Sequence, residues 1–266
     1  MQIETRSITL QSGMPVTLYC PQDRTDRLPT VVLLHERYGL VQHTGDLART
    51  ISAQGYCVVT PDIFYYLEDQ DSLHKGKVKA NPSDPFVLER LDEIVRLIDQ
   101  GKYGDMDKLA MIGVCQTGRY PVIYGSKREL KACIVLYGAI SNWERSELHP
   151  ESMDEIIRNL NSPLLGLFGE LDHSISIPSV LKLRNSLEQS EKSYRIKIFE
   201  DAPHGWLNST MPGRYRKISA ENAMYEIIKF LKQHLSPTSL RPNRIRWEFE
   251  SDKDRDYDFS RNVRFE

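Results

Sequence analysis

Six short, largely apolar runs are separated by segments of helical period, and this alternation limits the chain to one broad architecture. The runs are "TVVLLH" (30–35), "YCVVTPD" (56–62), "KLAMIGV" (108–114), "ACIVLYG" (132–138), "PLLGLFG" (163–169) and "YRIKIF" (194–199). Most lack the polar-apolar alternation of a strand that faces water on one side, so they read as strands covered on both faces. Between them, "QHTGDLARTISAQG", "FVLERLDEIVRLIDQGKYG", "MDEIIRNL", "PSVLKLRNSLEQS" and "SAENAMYEIIKFLKQHL" place apolar residues every three or four positions. Strands alternating with helices predict an α/β fold, a mostly parallel central sheet flanked by helices on both faces. Residues 5–20 alternate around "QSGMP" and predict an antiparallel hairpin ahead of it.

Two segments break the pattern. From Ile63 to Pro85 no period is visible and aromatics mix with Lys75, Lys77 and Lys79, which predicts a long excursion over the surface. After Leu235, "SPTSLRPN" reads as a linker and the rest of the chain is densely charged. The organisation expected is one domain over 1–235 and a charged extension over 236–266. Within the extension Ile245, Trp247 and Phe249 alternate with Arg246 and Glu248. That leaves two readings: a solvated tail, or a strand that docks on its own body or joins copies into a homo-oligomer.

With 35 basic and 37 acidic residues the chain carries no field that would gather nucleic acid or an anionic membrane. A small-molecule partner is expected, with no nucleic acid and no membrane. No apolar run reaches the length of a membrane span and the start lacks a signal-peptide pattern. Cys20, Cys57, Cys115 and Cys133 show no metal-type spacing, so reduced thiols in a cytoplasmic protein and no metal are expected.

The chemistry concentrates at strand ends. "GVCQTG" (113–118) sets Cys115 where a strand turns sharply into a helix, a site at which backbone N–H groups and the helix dipole favour a thiolate and an oxyanion. Thr117 stands where such an elbow usually has glycine, and Pro121 predicts a brief or interrupted helix after it. A buried cysteine alone is more often core, as expected for Cys57 and Cys133. Here an acid, Asp172 in "GELDH", follows a later strand, and a base, His204 in "APHGW", follows the last, the order an elbow hydrolase requires. His35 and His173 are rivals, ranked lower because His35 precedes the nucleophile and His173 would leave no base after the last strand. At "HERYG" (35–39) a buried strand ends in a loop whose Arg37 N–H, with that of Gln116, would form an oxyanion hole.

Taken together, "HERYG", "GVCQTG", "GELDH" and "APHGW" resemble the dienelactone hydrolases (carboxymethylenebutenolidases), α/β-hydrolases with a cysteine in the elbow, over residues 5–235. The resemblance implies Cys115 as nucleophile, His204 as base and then acid, and Asp172 as its orienting partner. Glu36 would contact the resting thiol and help form the thiolate. Tyr137, Arg119 and Trp206 would bind substrate, an ester or lactone, with no cofactor. Relatives that open dienelactones hold the substrate carboxylate with arginines, one a few residues after the histidine, where this chain has Asn208. Lys75, Lys77, Lys79 or Arg119 would have to replace it. Other uses of the same fold are cleavage of a carbon-carbon bond or thioester, or a binding protein without catalysis.

Overall fold

The computed structural model describes residues 2–22, 27–101, 103–138, 140, 143–236 and 245–252. In chain order the strands are β1 (Ile3–Thr9), β2 (Pro15–Pro21), β3 (Leu28–Leu34), β4 (Cys57–Pro61), β5 (Gly104–Val114), β6 (Ala132–Leu136), β7 (Leu164–Gly169), β8 (Tyr194–Phe199) and β9 (Trp247–Ser251). The helices are α1 (Gln42–Ser52), α2 (Gln70–His74), α3 (Asp84–Gln100), α4 (Tyr120–Lys127), α5 (Met153–Arg158), α6 (Ile177–Gln189) and α7 (Lys217–Leu235). All nine strands form one sheet in the order β1-β2-β4-β3-β5-β6-β7-β8-β9. It is parallel from β4 to β9, with β1 and β2 joined antiparallel at one edge. This is the mostly parallel, helix-flanked α/β sheet the apolar runs predict, and it agrees with the α/β-hydrolase fold the resemblance implies.

The runs are apolar throughout because both faces are covered. Along β3, Val32 and Leu34 pack with Leu91, Ile94 and Ile98 of α3, while Val31 and Leu33 pack with Leu47 and Ile51 of α1 and with Ile227 and Leu231 of α7. Successive side chains of a strand point to opposite faces, so a strand between two helical layers has no position left for water. Every βα loop then emerges at the carboxyl ends of the parallel strands, the edge at which ligands bind in such sheets.

Three expectations change. The pairing of β2 with β4 sets Tyr19 opposite Val58, and the next pair, Cys20 and Cys57, forms a disulfide across 37 residues of sequence. Chain spacing does not reveal this, because strand order, not proximity in sequence, decides which cysteines meet. The segment after β4 does not only run over the surface: Ile63, Phe64, Leu73 and Ala80 are buried, and α2 forms within it, capped by Asp69 accepting from the Ser72 N–H. Trp247 is also half exposed, its indole N–H donating to the Lys192 carbonyl, so it is not part of a buried apolar face.

Within the extension, β9 runs parallel to β8 on the same chain. Phe249 packs on the core, and Arg195 of β8 reaches Glu248 and Glu250 of β9 as well as Glu226 of α7. The buried ammonium of Lys197 lies 3.3 Å from both Glu250 and Asp252. A charge at such depth is tolerated only with partners, and β9 supplies them. No helix among the described residues is long and apolar enough to cross a membrane.

Candidate active site

β5 ends at Val114, and Cys115 takes φ +54°, a left-handed conformation that a side chain adopts only where surrounding structure enforces it. The reversal leads into a 3₁₀ turn, Cys115–Arg119, and then α4, with Pro121 in that helix's first turn, where a missing N–H costs nothing. A Cβ on Gly113 would lie 2.5 Å from the Thr117 carbonyl oxygen, so the crowded reversal requires glycine there.

Thr117, the departure from the usual glycine, fits without strain. It is buried; its hydroxyl accepts from the Val114 N–H (3.1 Å) and lies 2.8 Å from the His35 carbonyl, to which it donates. The threonine ties the end of β5 to the end of β3. The elbow geometry therefore survives the substitution.

At the turn the Cys115 Sγ lies 3.0 Å from His204 Nε2, and His204 Nδ1 lies 2.8 Å from Asp172 Oδ2. The three residues come from the ends of β5, β8 and β7. Asp172 is buried, and its other oxygen accepts from the N–H groups of Ser174 (2.7 Å) and Ile175 (2.8 Å). Burial opposes a charge on His204, yet hydrogen bonds to Asp172 and Cys115 and their negative charge outweigh it and raise the imidazole to about 10. Such an arrangement places the imidazole to exchange a proton with the Cys115 sulfur.

His35 and His173 are not brought to this site. His35 is buried, its Nε2 accepting from the Ile63 N–H and its Nδ1 donating to the Glu36 carbonyl; burial lowers its pKa and keeps it neutral. His173 is exposed.

Glu36 is buried, but the thiol's partner is His204 rather than Glu36. The Glu36 carboxylate accepts from the Tyr137 hydroxyl (3.2 Å) and from the Asn208 amide (2.7 Å). Asn208, at the place where some relatives have an arginine, thus serves as a neutral donor. Sequence spacing hides this role, because 172 residues separate it from Glu36; the only signal is its place four residues after His204.

Tyr137 and Trp206, expected at the substrate, lie beside His204 and behind it. Both are fully buried; Tyr137, at φ +36°, presents its ring edge-on to His204 at 5.3 Å, and Trp206 packs behind it against Phe199. They form the wall that holds His204. Burial and the adjacent Glu36 charge raise the Tyr137 phenol well above its ordinary value, so it stays protonated as a donor.

Arg119 is likewise not a free cation. Its guanidinium is buried against Asp84 (2.8 Å), which also meets His149 Nδ1 at 3.0 Å. Lys75, Lys77 and Lys79 are exposed. Arg37 and Gln116 follow the ends of β3 and β5, with both side chains turned to the segment after β4: Arg37 Nη2 donates to the Gly76 carbonyl and Gln116 Nε2 to that of Ala80.

A model of the dienelactone hydrolase family matches residues 14–235. The chain belongs to that family. Dienelactone hydrolases act on ester or lactone bonds, and this member is accordingly a hydrolase of that class. Two Escherichia coli proteins named "Putative carboxymethylenebutenolidase" are each 29% identical over 235 residues, covering 86% of this chain and 85% of theirs. A protein of the same name from Salmonella typhimurium is 28% identical and covers 83% of both chains. Among solved structures, a "Putative Dienelactone Hydrolase" from Klebsiella pneumoniae superposes with a TM-score of 0.77 at 27% identity, covering 87% of this chain and 98% of its own.

Proposed function

We propose that this dienelactone hydrolase works through a cysteine acyl-enzyme. The observation that carries the reading is the unbroken line from Cys115 Sγ through His204 to Asp172, at 3.0 and 2.8 Å. His204 Nε2 takes the thiol proton and the thiolate attacks the carbonyl carbon. The tetrahedral oxyanion is held by the N–H groups of Arg37 and Gln116. Collapse breaks the bond to the leaving oxygen, which receives the proton from His204, and leaves a thioester on Cys115. Water, deprotonated by the same His204, then releases the acid and restores the thiol.

The substrate class follows from the nucleophile. A thiolate is a better leaving group than an amide nitrogen, so the intermediate of a peptide reverts, whereas that of an enol ester or enol lactone goes forward. Charge narrows it further. The Glu36 carboxylate is satisfied by neutral donors, Tyr137 and Asn208, and the Arg119 guanidinium is neutralised by Asp84. This favours acyl groups without a carboxylate near Asn208.

Steady-state rates on a panel of enol lactones with and without a carboxylate, aryl esters, thioesters and anilides test both statements. Enol lactones and aryl esters should turn over at least about 10³-fold faster than anilides, and the uncharged lactone should surpass its carboxylate by about tenfold or more, roughly one unscreened charge contact. Faster hydrolysis of the carboxylate lactone would overturn the charge argument. Thioester turnover alone would move the site to a different reaction.

A further inference from the structure

Four polar side chains, from the "HERYG" loop and the turn Cys115–Arg119, hold the segment from Asp62 to Asp84 that links β4 to the start of α3, and His149 also reaches Asp84. His35 accepts from the Ile63 N–H (3.0 Å), Arg37 donates to the Gly76 carbonyl (3.1 Å), Gln116 donates to the Ala80 carbonyl (2.6 Å) and Arg119 pairs with Asp84 (2.8 Å). The middle two are the residues whose main-chain N–H groups face the reacting carbonyl in the mechanism above. Each offers its backbone to the reaction and its side chain to the segment after β4.

These two anchors lie where a lost hydrogen bond is costly. Ala80 and Leu73 are buried, and Leu73 and His74 pack against Gly39 of the "HERYG" loop. The Gln116 Oε1 and the Arg37 Nε are themselves buried without partners, so the bonds to Ala80 and Gly76 fix the direction of each side chain. Thr117 restrains the start of the 3₁₀ turn through the Val114 N–H, and the bond from Gln116 to Ala80 adds a second restraint toward the segment after β4.

We infer that Gln116 is a positioning residue that couples the segment 62–84 to the oxyanion hole, Arg37 acting in the same way from the other side. The inference rests on the cysteine acyl-enzyme reading. Docking of the segment holds the N–H groups of residues 37 and 116 in the orientation the tetrahedral oxyanion needs. An interaction of this kind acts on the transition state more than on the bound substrate, and its loss lowers kcat with little change in KM.

Gln116→Met keeps the length of the side chain and removes its amide; Arg37→Met removes the donor opposite Gly76 together with the charge over the Tyr38 ring. With p-nitrophenyl acetate, Gln116→Met should lower kcat by roughly tenfold to a hundredfold at nearly constant KM, the scale of a misplaced oxyanion donor. Amide hydrogen exchange in the peptide over residues 76–82 should rise about tenfold or more in the same protein. The double variant should lose less than the product of the single losses, because both act through one segment. A kcat within about twofold of wild type, a fall in kcat without faster exchange in that peptide, or multiplicative losses would each overturn the inference. Undiminished hydrolysis of the same ester by Cys115→Ala would instead defeat the underlying nucleophile reading, and that control tells the two failures apart.

Discussion

Cys115→Ala should abolish turnover, lowering kcat/KM by about 10⁴-fold or more, while far-ultraviolet circular dichroism and the thermal midpoint stay close to wild type. The size follows from losing the nucleophile of a triad, after which only binding and oxyanion stabilisation remain. No second thiol can take over. Cys133 is buried with its Sγ donating to the Pro121 carbonyl, and burial pushes its thiol up to about 12. Cys20 and Cys57 are joined to each other in the sheet between β2 and β4. The fold should tolerate the change because alanine removes one sulfur from a small, partly polar niche and leaves the backbone at position 115 unchanged. Its φ of +54° is no worse for alanine than for cysteine.

Asp172→Asn should cost nearly as much, about 10⁴-fold in kcat, through a proton on the wrong nitrogen. That is the scale of the same exchange in a serine-protease triad, and the present geometry gives the reason to expect it here. Two backbone N–H groups, of Ser174 and Ile175, point at one carboxylate oxygen and require an acceptor there. An asparagine must therefore place its carbonyl oxygen on those groups and its NH₂ toward His204 Nδ1. That nitrogen, now facing a donor, becomes the acceptor, and the proton moves to Nε2, where it can no longer be received from Cys115.

The same substitution should lower the His204 pKa from about 10, because Asp172 contributes both a hydrogen bond and a charge to the protonated form. Titration of the imidazole by NMR reads this directly. The sign for stability follows. His204 binds its proton more tightly folded than unfolded, so its contribution is full below about 6.5 and is lost as pH rises from there through about 10. In Asp172→Asn that loss should shrink. An unchanged His204 titration would contradict the assigned contact.

Sequence alone locates the three residues of the line because each stands at the end of an apolar run, and the carboxyl ends of parallel strands converge whatever the lengths between them. Glu36 is located for the same reason, but its partners are not. Tyr137 and Asn208 lie 101 and 172 residues from it, and which donor meets a buried carboxylate depends on side-chain packing that no spacing encodes. The disulfide escapes the sequence for a related reason: Cys20 and Cys57 meet only because β2 lies beside β4 rather than beside β3. Trp206 is expected at the substrate because it closes "APHGW", and Arg119 because it follows the elbow and could replace a missing arginine. Adjacency in sequence does not say that Trp206 turns into the core against Phe199 or that Asp84 neutralises the guanidinium. The segment after β4 has no visible period because its buried residues serve several neighbours and no single face.

The most direct test of the central claim is intact-protein mass spectrometry after brief mixing with aryl esters and enol lactones, followed by peptide mapping. The acyl-enzyme account predicts a mass gain equal to one acyl group, mapped to Cys115, transient in wild type, long-lived when His204 is replaced, and absent in Cys115→Ala. Hydrolysis that proceeds in Cys115→Ala, or an adduct that maps to another residue, would contradict it.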